Sequence, residues 1–133
     1  MTTPTDRLSA RSAVRPSVLN LLSRSLLFSL GMLVSTGMVA SLVVLGFFLP
    51  FHRRYRLTQY WSRFNLWWLR ATCRIDHRLT GAEHIPNRTV IVMAKHQSTW
   101  ETLFLNQYLP PIAWVVKREL LWLPLFGWAL ALL

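Results

Sequence analysis

Residues 25–51 form an uncharged stretch between Arg24 and His52, and no other feature constrains the fold of this chain as strongly. A straight helix of that length would measure roughly 40 Å, against about 30 Å for the hydrocarbon core of a bilayer. The stretch is too long for a cleaved signal peptide, and no Ala-x-Ala sequence closes it. We therefore predict a membrane helix over residues 25–51, preceded by a basic N-terminal segment over residues 1–24.

Two geometries remain open for this membrane helix. Ser35, Thr36 and Gly37 interrupt the apolar run near its middle, and Pro50 ends it. The segment either crosses the bilayer with some tilt, which we favour, or bends and re-enters the same side. Arginines are slightly more numerous after the segment than before it, so the positive-inside rule favours a cytoplasmic C-terminal portion.

Small residues recur four positions apart in the same stretch, as Gly31 with Ser35 and as Gly37 with Ser41. This spacing is typical of close contacts between membrane helices. Small residues are common in membrane helices for other reasons too, so we predict no helix contact from the spacing alone.

Residues 52–73 are predicted to form an amphipathic helix that lies in the headgroup layer. Its apolar side has helical spacing and consists of Leu57, Tyr60, Trp61, Phe64, Trp67, Trp68 and Ala71. Arg56, Arg63 and Arg70 recur every seven residues on the side assigned as opposite. Tryptophans on one side and arginines on the other are typical of an interfacial helix, and the alternative is a core helix of a globular domain.

The net charge of the chain indicates which kinds of molecule it can bind. Fifteen basic residues oppose 5 acidic ones, the net charge is +10, and 53% of the chain is hydrophobic. A protein this basic needs an anionic partner, and arginines that flank apolar segments favour membrane phospholipid over nucleic acid. The single cysteine, Cys73, excludes an intramolecular disulfide and a multi-thiolate metal site. We predict no bound metal and no bound cofactor.

We predict that residues 74–133 form the first part of an α/β domain. Residues 89–94 and 112–116 are continuous apolar, β-branched runs, the pattern of buried parallel strands. A helix is predicted between them, from Ser98 to about Tyr108. The order strand–helix–strand indicates a βαβ unit in an incomplete sheet, because the segment is too short for a whole α/β core.

The hexapeptide His96-Gln97-Ser98-Thr99-Trp100-Glu101 lies where the first predicted strand ends, at the edge where α/β sheets place their chemistry. On one continuous helix, His96 and Glu101 would point about 140° apart. A break between strand and helix at Ser98 brings them together, so that Glu101 holds one imidazole nitrogen and leaves the other as a base. The alternative is a capping box, in which Glu101 only starts the helix.

Two motifs resemble one known family. Residues 95–102 (Lys-His-Gln-Ser-Thr-Trp-Glu-Thr) resemble the first motif of the glycerolipid acyltransferases, a His-x4-Asp signature in which Glu is an accepted variant. They are most similar to the bacterial 1-acylglycerol-3-phosphate (lysophosphatidic acid) acyltransferases. Residues 116–128 are similar to the run that follows the second core strand in that family. Two motifs at compatible spacing are much more specific than one.

The resemblance implies a reaction at the bacterial inner membrane, with the catalytic portion on the cytoplasmic side. His96 would deprotonate the sn-2 hydroxyl of lysophosphatidic acid, and that oxygen would attack the thioester of acyl-CoA or acyl carrier protein to give phosphatidic acid. Glu101 would orient His96. Lys117 and Arg118 would either steer an anionic substrate or form a solvated basic pair beside Glu119.

The family has further motifs that this chain does not contain, among them a phosphate-holding arginine and a Glu-Gly-Thr-Arg-like sequence. We therefore expect a fragment that is inactive alone. Two alternatives stay open. One is an acyltransferase of the same superfamily that acts on glycerol 3-phosphate or another lysophospholipid, and the other is a non-catalytic membrane-binding protein.

Overall fold

The computed structural model describes residues 17–86, 88–95 and 97–133. Its helices, in chain order, are α1 (Val18–Leu45), α2 (Phe51–Cys73), a 3-10 helix (Ala82–His84), α3 (Thr99–Tyr108), a second 3-10 helix (Arg118–Trp122) and α4 (Phe126–Ala131). Residues 1–16, most of the predicted basic segment, lie outside the described residues.

Helix α1 is the predicted membrane helix, displaced toward the N-terminus. Ser17 caps its start, where the hydroxyl accepts a hydrogen bond from the N–H of Asn20 at 3.3 Å. The helix ends at Leu45, with Gly46 as its C-cap, before the uncharged stretch ends. Within the described residues it is the one helix long and apolar enough to cross a membrane, and 17% of its most apolar window is buried inside the protein. A core helix would be mostly covered, so most of this surface needs another apolar environment.

Helix α1 continues through the polar residues at its middle. The hydroxyls of Ser35 and Thr36 both donate to the carbonyl of Met32, at 3.0 and 2.6 Å. Each polar side chain is therefore satisfied within the helix, and the chain has no need to bend there. The bend near Ser35, Thr36 and Gly37, which we considered as the alternative to a crossing helix, is not present there. The chain reverses near the end of the uncharged stretch, at residues 46–50.

Helix α2 returns antiparallel along α1, and polar contacts join the two. The guanidinium Nε of Arg24 donates to the carbonyl of Thr72 at 2.7 Å, near the open end of the hairpin. Ser35 and Asn65 exchange hydrogen bonds at 3.1 and 3.3 Å near its middle. Because an unpaired polar group costs free energy in apolar surroundings, these pairs hold the register of the hairpin.

The small residues contact α2 at one of their two sites. A Cβ atom on Gly31 would overlap the indole of Trp68, whose Nε1 donates to the carbonyl of Leu27 at 3.3 Å. A Cβ on Gly37 would meet no atom of the described residues within 4 Å. Our choice to predict no contact from the spacing was therefore wrong for Gly31 and Ser35.

The faces of α2 differ from those predicted. Trp61 turns toward α1, where its Nε1 donates to the hydroxyl of Thr36 at 3.2 Å. Tyr60 and Trp67 remain 63% and 59% exposed. At 100° per residue they project beside the arginines, which are Arg56, Arg63 and Arg70, and not opposite them. Helix α2 therefore has a face toward α1, a face toward α3, and an exposed face where aromatic and arginine side chains mix.

The predicted strands are absent from the described residues, which are mostly helical, so the α/β class is not confirmed. Residues 89–94 and 112–116 have no regular secondary structure there. Ile91 and Met93 are each 93% exposed, although we predicted a buried strand. A strand is held by hydrogen bonds to a neighbour, and these two runs do not pair with each other.

Candidate active site

The start of α3 has the capping box that we considered as an alternative. The Oγ of Ser98 accepts a hydrogen bond from the N–H of Trp100 at 3.2 Å. The carboxylate of Glu101 accepts bonds from the N–H and the hydroxyl of Ser98, both at 2.9 Å, and from the N–H of Gln97 at 3.2 Å. Glu101 therefore fixes the start of α3.

His96 lies outside the described residues, so its pairing with Glu101 stays a prediction. The geometry of Glu101 is compatible with that pairing. Its Oε1 accepts a bond from the backbone N–H of Gln97, which is the residue directly after His96. Each oxygen of a carboxylate can accept two hydrogen bonds, so a carboxylate that caps the helix can also accept a bond from an imidazole.

Hydrogen-bond donors surround the Glu101 carboxylate and keep it ionised. The N–H of Glu101 itself lowers the pKa of this carboxyl most, and the Ser98 hydroxyl and the N–H groups of Gln97 and Ser98 lower the pKa further. Donors favour the charged form of an acid. A carboxylate that stays charged at neutral pH can orient and stabilise an imidazolium.

A histidine that sequence reasoning missed packs against α3. The ring of His77 lies 5.8 Å from Trp100, 5.5 Å from Phe104 and 5.9 Å from Tyr108, between centroids. Its Nε2 is 3.1 Å from the hydroxyl oxygen of Tyr108. The available signal was the four-residue spacing of the three aromatic side chains, which places them on one helix face. This cluster fixes α3 against the segment that follows α2.

Helix α3 is docked on α2 by a buried amide. The Nδ2 of Asn106 donates to the carbonyl of Thr58 at 3.0 Å and to the hydroxyl of Ser62 at 2.8 Å. Leu103, one turn earlier, is 1% exposed. The hairpin and the capping box are thus linked by one side of α3.

Lys117 and Arg118 are exposed at the start of the second 3-10 helix. Among the described residues, that 3-10 helix packs on α4 and has no contact with α3. The structure therefore does not bring these two cations next to Glu101, and their role as substrate ligands stays a prediction.

Comparison with known proteins agrees with the motifs at this site. Residues 76–133 match the family model described as Acyltransferase. Over these residues the chain is therefore similar to an acyltransferase domain.

Two curated relatives specify the class further. A 1-acyl-sn-glycerol-3-phosphate acyltransferase from Pseudomonas aeruginosa is 50% identical over 86 residues, which are 64% of this chain and 34% of the relative. A protein of the same name from Saccharomyces cerevisiae is 31% identical over 75 residues, 49% of this chain and 25% of the relative. The chain thus spans about a third and a quarter of these relatives. No solved structure matches it.

Proposed function

We propose that this chain is part of a 1-acylglycerol-3-phosphate acyltransferase, which forms phosphatidic acid from lysophosphatidic acid and a thioester of CoA or acyl carrier protein. The match over residues 76–133, with relatives of that name, carries the proposal. The capping box supports it, because it holds a charged carboxylate beside the residue that follows His96.

The chemistry follows from the two side chains. The neutral imidazole of His96 takes the proton of the sn-2 hydroxyl as that oxygen attacks the thioester carbonyl. The carbon–sulfur bond then breaks, and the imidazolium returns the proton to the leaving thiolate. Glu101 stabilises the imidazolium between these steps, and no acyl group is attached to the protein.

We propose that the hairpin lies on one side of the membrane and does not cross it. Arg63 is level with the middle of α1, because its neighbours Trp61 and Asn65 contact Thr36 and Ser35. A transmembrane hairpin would place this arginine near the bilayer centre, at a cost of about 2.5–3.5 kcal/mol or more. With α1 immersed along its outer side, the arginines of α2 reach headgroups. We assign this surface to the cytoplasmic face of a bacterial inner membrane.

We also propose that residues 89–94 and 112–116 become neighbouring strands of an α/β sheet when further chain pairs with them. Their apolar side chains are exposed, as Ile91 and Met93 illustrate. The 133 residues alone are then inactive, since the site lacks its supporting sheet. Lys117 and Arg118 are assigned to the anionic groups of the substrates.

The test is a graft in which residues 76–133 replace their counterpart in the Pseudomonas aeruginosa relative, with the ungrafted relative as control. We expect acylation of 1-acylglycerol 3-phosphate, measured as phosphatidic acid by mass spectrometry, and little acylation of glycerol 3-phosphate or other lysophospholipids. Preference for another acceptor would contradict the assigned substrate. A folded graft with no acyl transfer would favour a non-catalytic membrane protein.

A further inference from the structure

The C-terminal part of the chain has an apolar surface that acyl transfer does not use. No charged residue occurs from residue 120 to residue 133. Trp122 is 72% exposed, Leu123 49% and Trp128 55%. We call residues 120–133 the C-terminal apolar segment.

The C-terminal apolar segment packs on the C-terminal half of α1. Ala129, 5% exposed, forms a buried cluster with Ala40 at 6% and Val43 at 0%. Close by, the turn after α1 exposes Phe47 and Phe48 at 66% and 75%. The segment, with its exposed apolar side chains, therefore lies beside α1, which also exposes apolar side chains.

One arginine joins this segment to the turn of the hairpin. Arg54 donates through Nη1 to the carbonyls of Phe47 and Leu49, at 2.6 and 2.8 Å, and through Nη2 to the carbonyl of Leu132 at 2.9 Å. Free carbonyls are costly in hydrocarbon, and Arg54 satisfies them both at the turn and after α4. The same guanidinium fixes the two apolar elements side by side.

We propose that the C-terminal apolar segment enters the same leaflet as α1, with the acyl chains of membrane phospholipids covering its exposed side chains. The inference rests on the proposed position of α1 in the membrane. It favours lipid over protein as the occupant because the segment lies beside α1, has no charge to desolvate, and carries two tryptophans suited to the interface.

The proposal gives the acyltransferase portion a membrane contact of its own. Lys117 and Arg118 come shortly before the segment in the chain and are separated from it by Glu119. With the segment immersed, both are placed at headgroup depth, where cations near the end of an apolar element reach lipid phosphate. Anionic lipid substrates would then meet these residues without leaving the membrane.

Spin-label accessibility tests the proposal on the 133-residue chain in vesicles of phosphatidylethanolamine and phosphatidylglycerol. Cys73→Ser provides the background, and labels are attached to Leu123→Cys, to Leu33→Cys on the outer side of α1, and to Arg78→Cys as an exposed polar control. We expect the labels at 33 and 123 to be accessible to oxygen and shielded from a nickel chelate, and the label at 78 to be accessible to the chelate.

The other outcomes separate the two proposals. If the label at 123 is accessible to the chelate, or to neither reagent because protein covers it, while the label at 33 contacts lipid, the C-terminal proposal is wrong and the position of α1 stands. If the label at 33 is accessible to the chelate, both proposals are wrong.

A second measurement does not depend on labelling. Leu123→Arg should weaken vesicle partitioning about tenfold, because immersion of the segment would then place a charged side chain in hydrocarbon. Ile91→Arg is the matched control, since Ile91 is 93% exposed outside the C-terminal apolar segment and its surface on α1. Equal partitioning of the two variants would overturn the proposal.

Discussion

At the scale of single residues, Glu101 connects helix initiation to the proposed chemistry. Its own N–H lowers the pKa of the carboxyl most, and Ser98 and Gln97, whose bonds the carboxylate accepts, lower that pKa further. The capping box and the catalytic pair were alternatives in the sequence, but each carboxylate oxygen can accept two hydrogen bonds, so the two roles are compatible. The sequence placed this carboxylate correctly at the first turn of α3, because a capping box depends on local spacing alone.

The Ser98 hydroxyl should contribute measurably to the ionisation of Glu101. Ser98→Ala removes a donor to the charged form, so we expect the pKa of Glu101 to rise part of the way toward its ordinary value. Carbon-13 NMR titration of the Glu101 carboxyl measures the change. An unaltered or lower pKa in the variant would contradict the assigned hydrogen bond.

Ionisation of Glu101 also determines the lowest pH at which the capping box of α3 remains formed. A carboxyl whose pKa is lower in the folded state contributes stability above its unfolded pKa and loses it as the pH falls through the folded value. We therefore expect α3 to keep its capping box at neutral pH and to lose it only below the ordinary titration range of a glutamate. Amide exchange of Ser98 and Gln97 against pH measures this, and loss of protection near neutral pH would contradict it.

At the scale of elements, the sequence predicted the two long helices but not how they pack. The uncharged stretch predicted α1. The helix ends before residue 51, the predicted end, because the chain reverses at residues 46–50. The error on α2 was one of angle, since Tyr60 and Trp67 project beside the arginines. The His77 cluster was missed because it joins residues far apart in sequence, and no local pattern specifies such a contact.

Gly31 and Gly37 give a matched test of the hairpin. Gly31→Ala places a methyl group against the indole of Trp68, so we expect the free energy of unfolding to fall by about 1–3 kcal/mol. Gly37→Ala meets no described atom within 4 Å and gains helix propensity, so we expect stability to be unchanged or up to about 1 kcal/mol higher. Denaturant unfolding in micelles, followed by circular dichroism, compares them. Equal stability of both variants would show that α1 and α2 do not pack as described.

At the scale of the whole molecule, the helical hairpin contacts residues 76–133 at two places. Asn106 fixes α3 to α2, and Arg54 fixes the residue after α4 to the turn. The capping box and the C-terminal apolar segment are therefore both held by the same helical hairpin. The sheet that we predicted from the sequence is not present in the described residues. Residues 89–94 have the composition of a strand, but pairing depends on neighbours that composition does not specify.

The central claim is that His96 is the base of an acyl transfer to a lysophospholipid. The direct measurement is the rate of phosphatidic acid formation by the grafted relative with His96→Ala, compared with His84→Ala. His84 is an exposed histidine in the first 3-10 helix and has no proposed role. We predict a loss of about 10²–10⁴-fold for His96→Ala, the usual contribution of a general base, and an unchanged rate for His84→Ala. Comparable rates for the two variants, with both folded, would contradict the account.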